Sequence, residues 1–307
     1  MLGQELVKSF SDGYFEAVAW DIDDIDITKE KEVEEKIKNL KPEIILNAVA
    51  YNAVDKCEED EKEFELAKKI NGKAPGYLAK VAKELGAVLV HYSTDYVFGA
   101  ELPEIPEPDG CTGSCASCAL HFGFEPEIGF SENDKSAPVN KYGESKLMGE
   151  KEIKKNGEKY YIIRLSKLFG RPASIDGAKR SFFDVILEVG KKSLVSGNAV
   201  KAVDEETSCF TYAPDLAQKT KEIIESEKEF GIYHIINNEP CTWYDAVEEL
   251  YMQAGLEKVK VEPVTGEEFP RPAKRPYFSV LLNKKLNPLR SYKDALNDYL
   301  KEIGEIK

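Results

Sequence analysis

The chain has no long apolar run, no surplus of basic residues and no cysteine pattern of a small secreted domain. A membrane-spanning helix needs about 18 or more apolar residues in succession, and no such window occurs. Residues 1–5 also lack a basic region followed by an apolar segment, so no secretory signal is expected. Acidic residues number 56 against 42 basic ones, and the resulting field repels phosphate backbones. We therefore expect a cytoplasmic protein with neither membrane nor nucleic acid as a partner.

The 307 residues, 42% of them hydrophobic, are enough for one large domain or two moderate ones. Of the six cysteines, Cys57, Cys209 and Cys241 are scattered, which favours reduced thiols over a disulfide framework. No internal repeat is present.

Patterns typical of strands and helices alternate along the chain. Predicted strands cover residues 15–20, 44–49, 87–92, 160–165 and 232–236. Predicted helices cover residues 2–10, 31–40, 61–85 with a break near Gly72 and Pro75, 141–156, 181–189, 214–226, 243–254 and a last one from 292. Apolar strands separated by helices predict an α/β fold with a doubly wound parallel sheet. The pattern changes from Cys241 onward, which predicts a smaller C-terminal lobe.

The pattern with the clearest chemistry is Tyr142-Gly-Glu-Ser-Lys146, in which Tyr and Lys share one helix face. A free phenol has a pKa of about 10, and an ammonium one turn away lowers that value, so Tyr142 becomes a candidate proton donor to a ketone. The spacing alone is common on solvated helices. However, the strand at 87–92 runs into Ser93-Thr94-Asp95, at the sheet edge where ligands bind, and Thr94 is suited to hydrogen-bond a substrate carbonyl.

A strand that ends in Ser-Thr-Asp-Tyr-Val-Phe, followed by Tyr-Gly-x-Ser-Lys, resembles the extended short-chain reductases of the dTDP-4-dehydrorhamnose reductase family. Further segments similar to that family are residues 26–28, 47–56, 164–166 and 231–234, and Arg271-Pro272 with Arg275-Pro276. The resemblance runs over nearly the whole chain. It implies a Rossmann-type cofactor domain of residues 1–165 plus about 195–236, with an insertion at 100–132. It also implies a substrate lobe of about 166–194 plus 237–307.

The resemblance implies NAD(P)H-dependent reduction of a 4-keto nucleotide-diphosphate deoxysugar, of the dTDP-4-dehydro-L-rhamnose type, in the synthesis of cell-surface polysaccharide precursors. It assigns hydride transfer to Thr94, Tyr142 and Lys146, with Asp95 as an acidic helper and Lys146 also on the nicotinamide ribose. The residues implied along the cofactor are Gly3, Asp21, Asp26, Ile27, Asn47, Ala48 and Ala50, and those near the sugar are Val54 and Asp55. The resemblance is also compatible with a homodimer. The alternative is a non-catalytic subunit of the same fold, similar to the regulatory subunit of methionine adenosyltransferase.

Asp21 bears on the choice of cofactor. An acidic residue after the second strand would bond the adenosine 2′-hydroxyl and repel a 2′-phosphate, which favours NADH. Asp21 is also suited to be an ordinary turn residue in an acid-rich turn, so NADPH stays open.

The chain departs from the family at its N-terminus. The family opens with a strand and a Gly-x-x-Gly-x-x-Gly loop that seats the pyrophosphate at a helix N-terminus. Here Met1-Leu2-Gly3 matches only the last step of that loop. We expect the natural start to lie about ten residues upstream and to supply a central strand between residues 15–20 and 44–49.

A second departure is Lys167, at a position where the family usually carries Trp near the deoxysugar. Lysine supplies no aromatic face, so either the sugar differs, for example by an anionic group, or Lys167 is an ordinary surface residue at a strand end.

The third departure is the insertion, which contains Cys111, Cys115, Cys118 and His121. Thiolates and a neutral imidazole suit tetrahedral zinc. The spacing differs from paired Cys-x-x-Cys knuckles, and the same cysteine order occurs in radical enzymes that hold an iron-sulfur cluster. A cysteine-rich flexible loop is the alternative.

Overall fold

The structure, a computed structural model, describes residues 1–103, 127–173 and 180–307. The strands are β1 (Ile44–Asn47), β2 (Val88–Thr94), β3 (Tyr160–Leu165), β4 (Leu168–Phe169), β5 (Val200–Val203), β6 (Thr211–Tyr212), β7 (Gly231–His234) and β8 (Val261–Val264). The helices are α1 (Leu2–Ser9), α2 (Glu30–Leu40), α3 (Val54–Glu59), α4 (Glu61–Ala67), α5 (Ala74–Leu85), α6 (Lys141–Asn156), α7 (Phe182–Ser196), α8 (Ala213–Glu225), α9 (Trp243–Gln253) and α10 (Tyr292–Glu302).

The central sheet is parallel throughout, in the order β1-β2-β3-β7. Successive residues of a strand point to opposite faces, and here both faces are covered by apolar side chains. Leu89 and Ile162 pack beneath α2 and α5, whereas Val90 and Ile163 pack beneath α1 and α8. The predicted doubly wound α/β fold is confirmed.

The predicted strand at 15–20 is wrong. These residues form no strand, and Glu16 to Trp20 are exposed. An apolar stretch favours a strand only if a neighbour accepts its backbone hydrogen bonds. In the part of the chain that the structure describes, β1 pairs with β2 alone, so its other edge offers no such neighbour to residues 15–20.

The predicted break near Gly72 and Pro75 corresponds to an interruption of the regular α-helix. The helix continues from α4 into α5 through a π-helical segment, Lys68–Lys73, and Pro75 lies in the first turn of α5. The backbone of this segment lies close to α6, because a Cβ atom added to Gly149 would come within 2.1 Å of the Asn71 carbonyl oxygen. Glycine at 149 therefore permits the contact.

The C-terminal part has an apolar core of its own, formed by α7, α9, α10 and the strands β5 and β6. Its centre is aromatic, with Phe169 stacked on Tyr212 and Phe210 stacked on Tyr292. Strand β5 pairs with β8 in a separate parallel sheet. The domain boundaries expected from the sequence stay a prediction. Among the described helices, none has the length and apolarity needed to cross a membrane.

Candidate active site

Helix α6 carries Tyr142 and Lys146 to the carboxyl end of β2, where both are buried. The helix begins there because the Asn140 side chain accepts a hydrogen bond from the Gly143 N–H, at 2.8 Å. Gly143 is needed next to Tyr142, because a Cβ atom there would lie 2.2 Å from the Tyr96 carbonyl oxygen. The first turn of α6 thus rests directly on the turn that follows β2.

Lys146 is almost fully enclosed. Its Nζ donates to the Tyr92 carbonyl oxygen at 2.6 Å, and its other N–H groups have no acceptor among the described residues. Burial lowers the pKa of Lys146 to about 8, against the opposing charge of Glu150. An enclosed ammonium whose remaining N–H groups can still donate hydrogen bonds is suited to bind a polyhydroxyl ligand such as a ribose.

Tyr142 behaves differently from the sequence expectation. Burial, reinforced by the charge of Asp95, raises the pKa of Tyr142 above its ordinary value, although the Thr94 side chain opposes the shift. The phenol therefore keeps its proton in the protein alone, which is the form that a proton donor requires. Its hydroxyl donates to the Asn52 Oδ1 over a long distance of 3.4 Å.

Thr94 and Asp95 form one hydrogen-bonded unit at the end of β2. The Thr94 hydroxyl donates to Asp95 Oδ1 at 3.0 Å, while Ser166 and Ser279 donate to Asp95 Oδ2 at 2.8 and 2.7 Å. Burial raises the pKa of Asp95, and the three hydroxyls oppose that rise. Asp95 thus orients Thr94 and joins β2 to two distant segments of the chain.

Asn71, in the π-helical segment, was missed by sequence reasoning. Its Nδ2 donates to the Ser145 hydroxyl and to the Tyr51 carbonyl, both at 3.0 Å, and its Oδ1 accepts from the Tyr51 N–H at 2.8 Å. Ser145 in turn donates to the Tyr142 carbonyl at 2.7 Å. Asn71 therefore fixes the catalytic turn of α6 against residues 68–73. A lone Asn within a helical pattern carries no sequence signal for this role.

A buried ion pair lies one turn beyond Lys146. Arg164 on β3 binds Glu150 through two parallel bonds of 2.9 and 2.7 Å, and Ser93 donates to Glu150 at 2.6 Å. Burial alone would raise the pKa of Glu150, but Arg164 outweighs it and holds the pKa below its ordinary value. The pair fastens α6 to the central sheet. The sequence indicated Arg164 only as part of a motif.

The residues predicted along the cofactor are spread over several elements. Asn47 is buried at the end of β1, with its Nδ2 2.9 Å from His91 Nδ1, and Ala48 and Ala50 follow it. Gly3 lies within α1 instead of in a loop, and Ile27 is buried in the apolar core beside α2. Their contact with a cofactor stays a prediction.

The two acidic residues predicted to meet the adenosine lie near α2. Asp21 is exposed in a turn, where its N–H bonds Asp24. Asp26 accepts from the N–H and the hydroxyl of Thr28, which lowers the pKa of Asp26. Their contact with a cofactor stays a prediction.

The residues predicted near the sugar lie in two separate parts of the chain. Val54 and Asp55 open α3, and Asp55 binds Arg275 through two bonds of 2.9 and 2.8 Å. Arg275 holds the pKa of Asp55 below its usual range. Lys167, also predicted near the sugar, places its Nζ 3.8 Å from the centre of the Trp243 ring.

Cys111, Cys115, Cys118 and His121 lie outside the described residues. Within residues 1–103, 127–173 and 180–307, no cluster of His, Cys, Asp and Glu is suited to hold a metal ion. The three cysteines in those ranges are buried free thiols, as expected. Burial raises the pKa of Cys57 to about 11, which makes it unreactive near neutral pH.

A doubly wound parallel sheet with a buried Tyr-Lys pair beside the Thr at its second strand defines a short-chain dehydrogenase/reductase of the extended type. Residues 1–305 match the family described as RmlD substrate binding domain, and the chain belongs to that family.

Three relatives illustrate the similarity. The spore coat polysaccharide biosynthesis protein SpsK of Bacillus subtilis is 28% identical over 305 residues, covering 98% of this chain and 94% of that protein. The crystal structure of a dTDP-4-dehydrorhamnose reductase from Clostridium acetobutylicum has a TM-score of 0.82 and 34% identity, covering 98% and 95% of the two chains. The same enzyme from Bacillus anthracis, solved in complex with NADP, has a TM-score of 0.82, 27% identity and the same coverage of 98% and 95%.

Proposed function

We propose that the protein is an NAD(P)H-dependent reductase that converts a 4-keto nucleotide-diphosphate sugar, of the dTDP-4-dehydro-L-rhamnose type, to the 4-hydroxy sugar. The observation that carries the proposal is the burial of Tyr142 and Lys146 on one turn of α6 beside Thr94. The relatives named dTDP-4-dehydrorhamnose reductase support the substrate class. The product would serve the synthesis of cell-surface polysaccharide precursors.

The chain's own residues handle the proton and the orientation of the ketone. Tyr142 donates its proton to the ketone oxygen, and Thr94 donates a second hydrogen bond once its hydroxyl turns from Asp95. Lys146 holds ribose hydroxyls with the N–H groups that Tyr92 leaves free. The nicotinamide, when bound, supplies the hydride that the ketone carbon takes up.

The test is a reductase assay with dTDP-4-dehydro-L-rhamnose and NADH or NADPH, followed by the loss of reduced-nicotinamide absorbance. Turnover with either cofactor supports the enzyme over a non-catalytic regulatory subunit, and its absence with both favours the subunit. The ratio of kcat/KM with NADH to kcat/KM with NADPH shows which cofactor the protein prefers. Asp21 favours NADH, whereas the Bacillus anthracis relative was solved with NADP. A homodimer and a cytoplasmic location stay predictions.

Lys146→Met is expected to weaken both turnover and binding of the nicotinamide cofactor. Loss of a charged hydrogen-bond donor costs about 1.5–3 kcal/mol of binding free energy, which corresponds to a roughly 10- to 100-fold lower affinity for the cofactor. Fluorescence titration with reduced cofactor measures the affinity. Lys151→Met is the matched control, because Lys151 is an exposed residue on the same helix. Unchanged cofactor affinity in a folded Lys146→Met protein would remove the ribose role.

We further expect about one zinc ion per chain, held by Cys111, Cys115, Cys118 and His121, since three thiolates and one imidazole complete a tetrahedral set. Elemental analysis of protein purified without chelator measures it. A metal-free protein whose three thiols all react freely would leave the flexible-loop interpretation.

A further inference from the structure

Lys167 carries a buried amine that bonds no group among the described residues. Its Nζ is shielded from solvent and has no hydrogen-bond partner in the part of the chain that the structure describes. Instead it lies 3.8 Å from the centre of the Trp243 ring and 5.0 Å from that of Phe210. Aromatic faces attract a cation but accept no conventional hydrogen bond, so the desolvated ammonium remains without an acceptor.

The carboxylates that surround Lys167 are already bound to other groups. Asp95 and Glu206 act on Lys167 through their charge alone, and neither forms an ion pair with it. Asp95 accepts from three hydroxyls, as described above. Glu206 is held by an ion pair with Arg271 and accepts from the Trp243 Nε1 at 3.0 Å. Both carboxylates are therefore bound to other groups, and the Lys167 amine has no hydrogen-bond acceptor among the described residues.

The backbone at Lys167 is held in an unusual conformation. Its φ angle is 37°, in the left-handed region that favours glycine. Such strain persists only where surrounding contacts hold it, and here Lys167 stands between Ser166, which binds Asp95, and the parallel pair β4-β6. This conformation keeps the side chain directed at Trp243 beside the Thr94-Asp95 unit.

We propose that Lys167 is a specificity-determining residue that binds a carboxylate on the sugar ring of the nucleotide-sugar substrate. The inference rests on the proposed function for the 4-keto nucleotide sugar and changes one detail of the substrate: the ring would carry a carboxylate where dTDP-4-dehydro-L-rhamnose carries a methyl group. The position beside the Thr94-Asp95 unit favours the sugar as the source of the anion over the diphosphate, because Thr94 meets the reacting carbonyl.

The test compares binding of three probes by titration calorimetry: dTDP, dTDP-L-rhamnose, and its analogue in which a carboxylate replaces the ring methyl group. We expect the protein to bind the carboxylate about 10- to 100-fold more tightly than the methyl sugar at pH 7, as one charged hydrogen bond provides. Lys167→Met and Lys167→Gln should both abolish this preference and leave the affinity for dTDP unchanged. Lys258→Met, at an exposed position, should retain it.

The preference should also depend on pH. Burial lowers the pKa of Lys167 to about 8. Below that pH the ammonium attracts the carboxylate, and above it the neutral amine does not, so the affinity ratio should fall as the pH rises through about 8.

Two results would overturn the inference. One is a wild-type protein that binds the two sugars within about twofold of each other, with the ratio unchanged in either variant. The other is an equal loss of affinity for all three probes in variants that circular dichroism shows to be folded. Lys167 would then bind a phosphate oxygen, which all three probes share, instead of the sugar carboxylate. In either case, reduction of dTDP-4-dehydro-L-rhamnose by the wild-type protein would leave the proposed function intact. If the protein reduces neither dTDP-4-dehydro-L-rhamnose nor the 4-keto form of its carboxylate analogue, the proposed function and the inference are overturned together.

Discussion

Tyr142→Phe is expected to lower turnover by about two to four powers of ten, since loss of a general acid removes that much. The substitution deletes only the hydroxyl, whose hydrogen bond to Asn52 is long at 3.4 Å, so the fold should persist. The ring keeps its edge-on contact with Tyr96, whose centroid lies 5.8 Å away. Steady-state kcat measures the effect, and thermal unfolding confirms that the protein is folded.

Tyr77→Phe is the matched control, because Tyr77 is a partly buried phenol on α5. Its turnover should equal that of the wild-type protein. A folded Tyr142→Phe protein that retains the wild-type rate would show that the proton comes from another group.

Arg164→Met is expected to have the largest effect on stability. It leaves Glu150 buried without its ion-pair partner, which costs about 3–5 kcal/mol, against a total stability of about 5–15 kcal/mol. Urea unfolding at neutral pH measures the loss. Arg180→Met is the control, because the exposed Arg180–Glu188 pair should contribute no more than about 1 kcal/mol.

The pH dependence of that loss identifies its cause. In the wild-type protein Arg164 keeps the pKa of Glu150 low, so the pair stabilises the fold at neutral pH and the contribution is lost as the pH falls. Without Arg164, burial raises the pKa of Glu150, and protonation then removes the unpaired charge. The deficit of Arg164→Met should therefore shrink in acid. A deficit independent of pH, or no larger than that of Arg180→Met, would contradict this account.

Elements with strong local signals could be predicted closely. The bounds of α6 and β3 agree with the sequence, since α6 has a capping Asn140 before it and β3 is apolar except for Arg164. The proximity of Tyr142 and Lys146 follows from helix geometry alone. Residues 15–20 have an equally good local pattern and still form no strand, because a strand also depends on its neighbours.

The contacts that complete the site could not be predicted, because they join distant parts of the chain. Asp95 meets Ser279, 184 positions away, and Asn71 meets Ser145, 74 positions away. Lys167 illustrates the same limit. The sequence showed that a lysine replaces an aromatic residue, but not that Trp243 and Phe210 would flank its amine.

The π-helical segment makes the region from Glu61 to Leu85 sensitive to the number of residues it contains. An α-helix turns by about 100° per residue, so one residue deleted from Lys68–Lys73 would rotate whatever follows by roughly that angle. If the rotation moved Asn71, its hydrogen bond to Ser145 would be lost. If it moved α5 instead, the face of α5 that carries Leu78 would no longer pack on the sheet. Insertions and deletions between α4 and α5 are therefore expected to disturb the site or the core, whichever residue of the segment is added or removed.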